Sequence, residues 1–187
     1  FFGTSMSSLG PTIQLVNFEN IIGSFGIGKF CSVAWSLKFR PIPKEPIIFS
    51  KFTNCIVGPN DNIEVPKNSN HTDWEVEIGF VIGKKAKYVE EKNALDYVLG
   101  FFLVTDVSER EFQKNKGLTW DKGKGFDTFG PIGPYILTKD EVKDYDNLNM
   151  FLDVNGERMQ TGNTKDMIFN IEQLVSYMSH CMTLYPG

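Results

Sequence analysis

Between Asp73 and Gly83 an apolar residue falls at every second position: Trp74, Val76, Ile78, Phe80 and Ile82, with Asp73, Glu75 and Glu77 interleaved. A period of two sends successive side chains to opposite faces of an extended chain. The stretch therefore reads as a half-buried strand, greasy on one face and lined with carboxylates on the other. Glu75 and Glu77 stand side by side on that face and repel each other unless something positive lies between them. Two readings follow. All-oxygen ligands on a rigid strand suit a hard divalent ion, Mg²⁺ before Ca²⁺ or Mn²⁺, with positions left for water, substrate and one more ligand. Alternatively, the acids form a solvated face that pairs with surface lysines, since short patterns of this kind are common by chance.

A chain of 187 residues that is 41% hydrophobic and 22% charged can bury one core but not two generous ones, so a single domain is expected. Its readable part runs over 41–187, and residues 1–40 are the least readable, because Phe1 to Asn20 show no sustained period of either kind. Sixteen Phe, with Gly and Pro scattered throughout, favour a strand-rich fold over a helical bundle. A net charge of -4 offers no basic field, so nucleic acid is not an expected partner. Neither a transmembrane-length apolar run nor a basic, Ser-rich leader is visible, so no membrane span and no transit peptide are expected. Cys31, Cys55 and Cys181 are an odd number without a Cys-x-x-Cys pair. That argues against a disulfide framework and a structural zinc site, and suits a reducing compartment. The chain starts without Met and stops at Tyr185-Pro186-Gly187, which reads as a fragment.

Gly23 to Lys29 satisfies most of a phosphate-loop pattern, but Phe30 stands where a Ser or Thr should hold Mg²⁺. Asn70-His71-Thr72 is a glycosylation sequon, read as inert without a secretory signal. The prolines at 41, 43 and 46 force an extended entry to a strand over Ile47–Phe52, with a second short strand over Asn62–Val65. A short helical segment around Asn93–Val98 precedes Phe101–Thr105, an apolar run suited to a strand buried on both faces, which delivers Asp106 at its end. Ser108 and Glu111 have capping-box spacing, predicting a helix from about Glu109 to Lys116 with Arg110 and Gln113 on one face. Trp120 to Pro134 is interleaved with glycines around Lys122 and Lys124, and reads either as a mobile surface loop or as backbone that closely approaches a ligand. Asn155-Gly156 predicts a type I′ hairpin, and Asn170 caps a helix whose core face is Ile171, Leu174, Val175, Met178 and Met182.

Taken in order, Asp73-Trp74-Glu75-Val76-Glu77, Asp106-Val107-Ser108-Glu109-Arg110, Lys122-Gly123-Lys124-Gly125-Phe126-Asp127-Thr128-Phe129-Gly130-Pro131, Val154-Asn155-Gly156-Glu157 and Gly162-Asn163-Thr164 resemble the fumarylacetoacetate hydrolase family. The segment from Pro43 to Phe52 looks most like its small animal members, oxaloacetate tautomerases among them. The resemblance implies an α+β mixed β-roll and a homodimer. It also implies Mg²⁺ or Mn²⁺ held by Glu75, Glu77 and Asp106, with Lys124 as the catalytic cation and substrate contacts from Arg110, Gln113 and Thr164. Small keto acids or 1,3-dicarbonyl acids are the implied substrates, to be tautomerised, decarboxylated or hydrolysed at a C–C bond. Mitochondrial placement is implied by resemblance alone, with the cytosol as the alternative.

The sequence departs from the family's hydrolytic members at Cys31 to Phe39, where they have a His-Glu pair and this chain has neither residue. A general base typically contributes about 10²–10⁴-fold, so tautomerisation is expected ahead of hydrolysis, with an inactive scaffold as the remaining alternative. The family's closing Gly-Thr-Pro segment would lie beyond Gly187.

Overall fold

The structure is a computed structural model that describes residues 2–5, 42–68 and 71–187. The Gly23–Lys29 pattern, the stretch from Cys31 to Phe39 and Asn70 lie outside them. In chain order the strands are β1 Phe2–Ser5, β2 Ile56–Val57, β3 Thr72–Asp73, β4 Val76–Ile82, β5 Val98–Thr105, β6 Ser108–Glu109, β7 Gly130–Thr138, β8 Asn149–Val154 and β9 Glu157–Asn163. The helices are α1 Arg110–Lys114, α2 Asp121–Lys124 and α3 Ile171–Cys181. The architecture is strand-rich, as the composition favours, and α+β, as the resemblance implies.

Four strands form one sheet in the order β2-β7-β5-β4, with β5 antiparallel to both neighbours and β2 parallel to β7. β5 is buried at every position but Leu99, as a continuous apolar run in a central strand requires. The even positions of β4 face inward: Val76 and Ile78 pack with Leu103, Met150 and Leu152, and Phe80 and Ile82 pack against a larger cluster that includes Phe101, Leu137 and Val175. Its odd face is less wet than the alternation suggests. Val81 is buried there with Phe102, Val104 and Ile136, and the Phe102 ring lies so close over Gly79 that a Cβ at 79 would meet it at 2.4 Å. Only the Glu75–Glu77 end of that face stays polar.

β8 and β9 form the expected hairpin, with Asn155 and Gly156 at φ of 52° and 82°. Gln160 of β9 ties this sheet to the other, accepting from the Val76 amide at 2.7 Å and donating to the Val76 carbonyl at 3.2 Å. Helix α3 begins at Asn170 in a full capping box with Gln173, and buries Ile171, Leu174, Val175 and Met178, while Met182 is only partly covered. The residues from Glu91 to Tyr97 form a 3-10 rather than an α-helix.

Three local expectations are overturned. Residues 47–52 form no strand with the described residues: the Ser50 amide donates to Asp121 Oδ1, and Lys51 turns inward onto backbone carbonyls. Residues 62–65 form no strand either. Ser108 caps no helix, because β6 pairs with β3 in register Asp73 to Ser108, and the Ser108 hydroxyl donates to the Asp106 carbonyl. Helix α1 therefore starts two residues past Ser108 and runs five residues, shorter than the capping-box spacing predicts.

Candidate active site

The ladder pairing Val76 with Thr105 continues one step further, where the Asp106 amide donates to the Glu75 carbonyl at 2.8 Å. An acid just before β4 and one just after β5 are thereby set against each other. Glu75, Glu77 and Asp106 each bring a carboxylate oxygen to within 4.8 Å of the other two. Asp106 is only 2% exposed, so its charge demands compensation.

Basic side chains supply it. Lys124 Nζ donates to Glu75 Oε2 at 2.7 Å and to Asp106 Oδ2 at 2.5 Å. Arg110 Nη1 lies 2.6 Å from Glu75 Oε1, its Nε donates to Asp73 Oδ2 at 2.7 Å, and Nη1 also donates to Gln113 Oε1 at 3.0 Å. Each oxygen of Glu75 thus faces a different cation, which fixes the plane of its carboxylate. Burial alone would ease the Arg110 proton off, but the charges of Glu75 and Asp73 outweigh it and raise the guanidinium above its ordinary value.

Lys124 is 1% exposed and sits in α2, packed below the Phe49 ring at 4.9 Å from the centroid. The glycine-rich stretch is therefore not a mobile surface loop around this lysine. Gly123 permits α2 to touch α1, bringing Lys124 beside Gln113 and Arg110. Thr164 is placed differently. It is buried, its hydroxyl accepting from the Leu148 amide and donating to the Tyr145 carbonyl, both at 2.8 Å, so its partners are backbone groups rather than the charged cluster.

Sequence reasoning misses Lys51. Fully buried, it donates to the carbonyls of Val107 at 2.9 Å, Lys124 at 2.8 Å and Phe129 at 2.7 Å. Its Nζ also lies 2.8 Å from Asp106 Oδ1. Four oxygens thus stand around an ammonium with three protons, and Asp106 meets its charge at contact distance. Burial pushes the Lys51 ammonium below the ordinary lysine value, against the pull of Asp106. The available signal was a lysine between Phe49 and Phe52 in an apolar run, where a solvated strand position would be the ordinary reading.

The residues present fit a hard divalent ion. Every donor in the triad is a carboxylate oxygen, and the spacing suits one shared centre. A separate groove of about 290 Å³, lined by Pro59, Asn62, Ile63, Leu103, Thr105 and Ile132, contains none of these charged side chains.

The C-terminal domain of fumarylacetoacetate (FAA) hydrolase matches as a family over residues 24–187. The chain belongs to the fumarylacetoacetate hydrolase family. Among its relatives in this family, a Burkholderia cenocepacia protein that bears the name "Putative hydrolase" is 52% identical over 184 residues, covering 94% of this chain and 65% of that protein. The chain thus spans about 65% of the length of the curated relatives it matches. The solved 2-hydroxyhepta-2,4-diene-1,7-dioate isomerase of Mycobacterium marinum superposes with a TM-score of 0.73 at 40% identity, over 78% of this chain and 56% of that one. The 5-carboxymethyl-2-hydroxymuconate delta-isomerase of Mycobacterium smegmatis does so with a TM-score of 0.73 at 33% identity, over 87% and 62%. These FAA hydrolase relatives are bacterial, so they support the family without supporting its animal branch or a mitochondrial address.

Proposed function

We propose that this chain holds the site of a divalent-metal-dependent enzyme that stabilises the enolate of a small keto acid, with tautomerisation as the leading reaction. The observation that supports it most is the convergence of Glu75, Glu77 and Asp106 within 4.8 Å, with the Lys124 ammonium against two of them. Glu75, Glu77 and Asp106 would hold the ion, and a bound divalent ion supplies Lewis-acid polarisation of the keto-acid oxygens. Lys124 presents a buried, dry ammonium to an oxygen on which negative charge grows as the neighbouring carbon loses its proton, and such preorganised donors stabilise that charge best where water is excluded. Arg110, braced by Asp73 and Gln113, offers a planar cation to a substrate carboxylate.

Two relatives are named as isomerases of unsaturated hydroxy di- and tricarboxylic acids, compounds whose isomerisation moves a proton through an enol, which supports proton transfer ahead of bond cleavage. C–C hydrolysis is the second reading, favoured by the relatives named as hydrolases. Oxaloacetate itself as the substrate, a homodimer and membership of the animal branch are finer points that rest on sequence resemblance.

The test follows the enol absorbance of oxaloacetate in the presence of the chain with Mg²⁺. Faster decay that EDTA abolishes and Lys124→Met removes is expected; decay indifferent to both contradicts the reading.

A further inference from the structure

We infer that Lys51 is a positioning residue for this site, gripping the side of Asp106 opposite Lys124 so that one particular oxygen of that carboxylate faces the acid cluster. The inference rests on the proposed metal-enolate reading.

The geometry has two parts. Lys51 Nζ donates to carbonyls from three separate segments: Val107 just past β5, Lys124 in α2, and Phe129 just before β7. Backbone from the strand that delivers Asp106, from the helix that delivers Lys124 and from the start of β7 is thereby knotted at one nitrogen. The same nitrogen stands 2.8 Å from Asp106 Oδ1, while Oδ2 of the same carboxylate meets Lys124 Nζ. A carboxylate held this way between two cations cannot rotate about its Cβ–Cγ bond without losing one of them. Oδ2 is left on Lys124, whose Nζ also meets Glu75 Oε2.

The contact with the Lys124 carbonyl adds a second lever. Lys51 fixes the main chain of the very residue whose side chain reaches Glu75 and Asp106. One buried ammonium therefore sets both a triad acid and the cation beside it. A side chain that merely cements the core would do neither, since its loss would lower stability and leave the affinity of the folded site alone.

The experiment titrates Mn²⁺ into the chain and follows free ion by electron paramagnetic resonance, comparing wild type with Lys51→Met, which keeps the length and removes charge and donors. Partners that orient metal-binding carboxylates typically contribute about 10–100-fold to metal affinity, and a loss in that range is expected, at a temperature where circular dichroism shows the variant folded. Equal Mn²⁺ affinity in the two folded proteins overturns the inference and leaves the metal reading intact. Absence of Mn²⁺ binding by wild type overturns the metal reading and this inference with it. Should Lys51→Met not fold, the unsubstituted chain decides: in ¹⁵N-lysine-labelled protein the Lys51 Nζ resonance must shift in step with Mg²⁺ saturation. A Lys51 signal that stays still while Mg²⁺ binds overturns the inference.

Discussion

Gly123 lies so close to Gln113 that a Cβ on the glycine would stand 2.5 Å from the Gln113 amide nitrogen. The nearest atom is main chain, so the neighbour cannot swing aside as a side-chain tip would. Helices α1 and α2 meet at this point, and Arg110, Gln113 and Lys124 come together because of it. Gly123→Ala is accordingly expected to destabilise the fold by about 1–3 kcal/mol through overpacking. Thermal unfolding checks the loss, and an unchanged melting temperature would mean that the helices do not touch this closely.

Gly156 separates conformation from crowding. It has φ of +82°, yet a Cβ there would meet nothing within 4 Å. Gly156→Ala should therefore cost about 1–2 kcal/mol from backbone geometry alone, measured by urea unfolding, with the site's affinity for Mn²⁺ unaltered.

Arg110 places nitrogens against Asp73, Glu75 and Gln113 at once. A lysine is a point charge on a flexible stem and cannot reproduce that fork. Losing one charge-assisted hydrogen bond of at least about 1.5 kcal/mol should raise KM for oxaloacetate roughly tenfold in Arg110→Lys. Steady-state kinetics reads this directly, and an unchanged KM would take Arg110 out of substrate binding.

Much of this arrangement is legible in the residues themselves, and what is not has a definite cause. β5 can be read because a run such as Phe101-Phe102-Leu103-Val104 has no polar face to offer water, and Asp106 follows from its end. The hairpin at Asn155-Gly156 can be read because two positive φ values in succession favour few other residue pairs. Ser108 misleads: a capping box is a local signal, and pairing of β6 with β3 claims the same residues for a strand. Lys51 is invisible because burial of its ammonium depends on carbonyls 56, 73 and 78 residues away in sequence. Lys124 looks exposed for the same reason, since no pattern within 120–134 states that α1 and Phe49 close over it.

Cys55 and Cys181 should differ sharply toward an alkylating reagent. Burial is the main cause that raises the Cys55 thiol above its ordinary value, whereas Cys181 is an exposed residue at the end of α3. A raised pKa leaves less thiolate at a given pH, so Cys55 stays protonated at pH 8 and gains reactivity only as the pH climbs further. Peptide mapping after iodoacetamide at pH 8 should find Cys181 modified and Cys55 intact in the folded chain; equal labelling would contradict the burial of Cys55.

The central claim is that Glu75, Glu77 and Asp106 grip one divalent ion between them. Isothermal titration of Mn²⁺ into wild type and Asp106→Asn tests it most directly, because the asparagine keeps the shape and removes the charge. A ligand should matter at least as much as the partners that orient it, so one Mn²⁺ per chain in wild type and a loss of at least about tenfold in affinity in the variant are predicted. Equal binding by the two proteins, or none by wild type, would contradict the account.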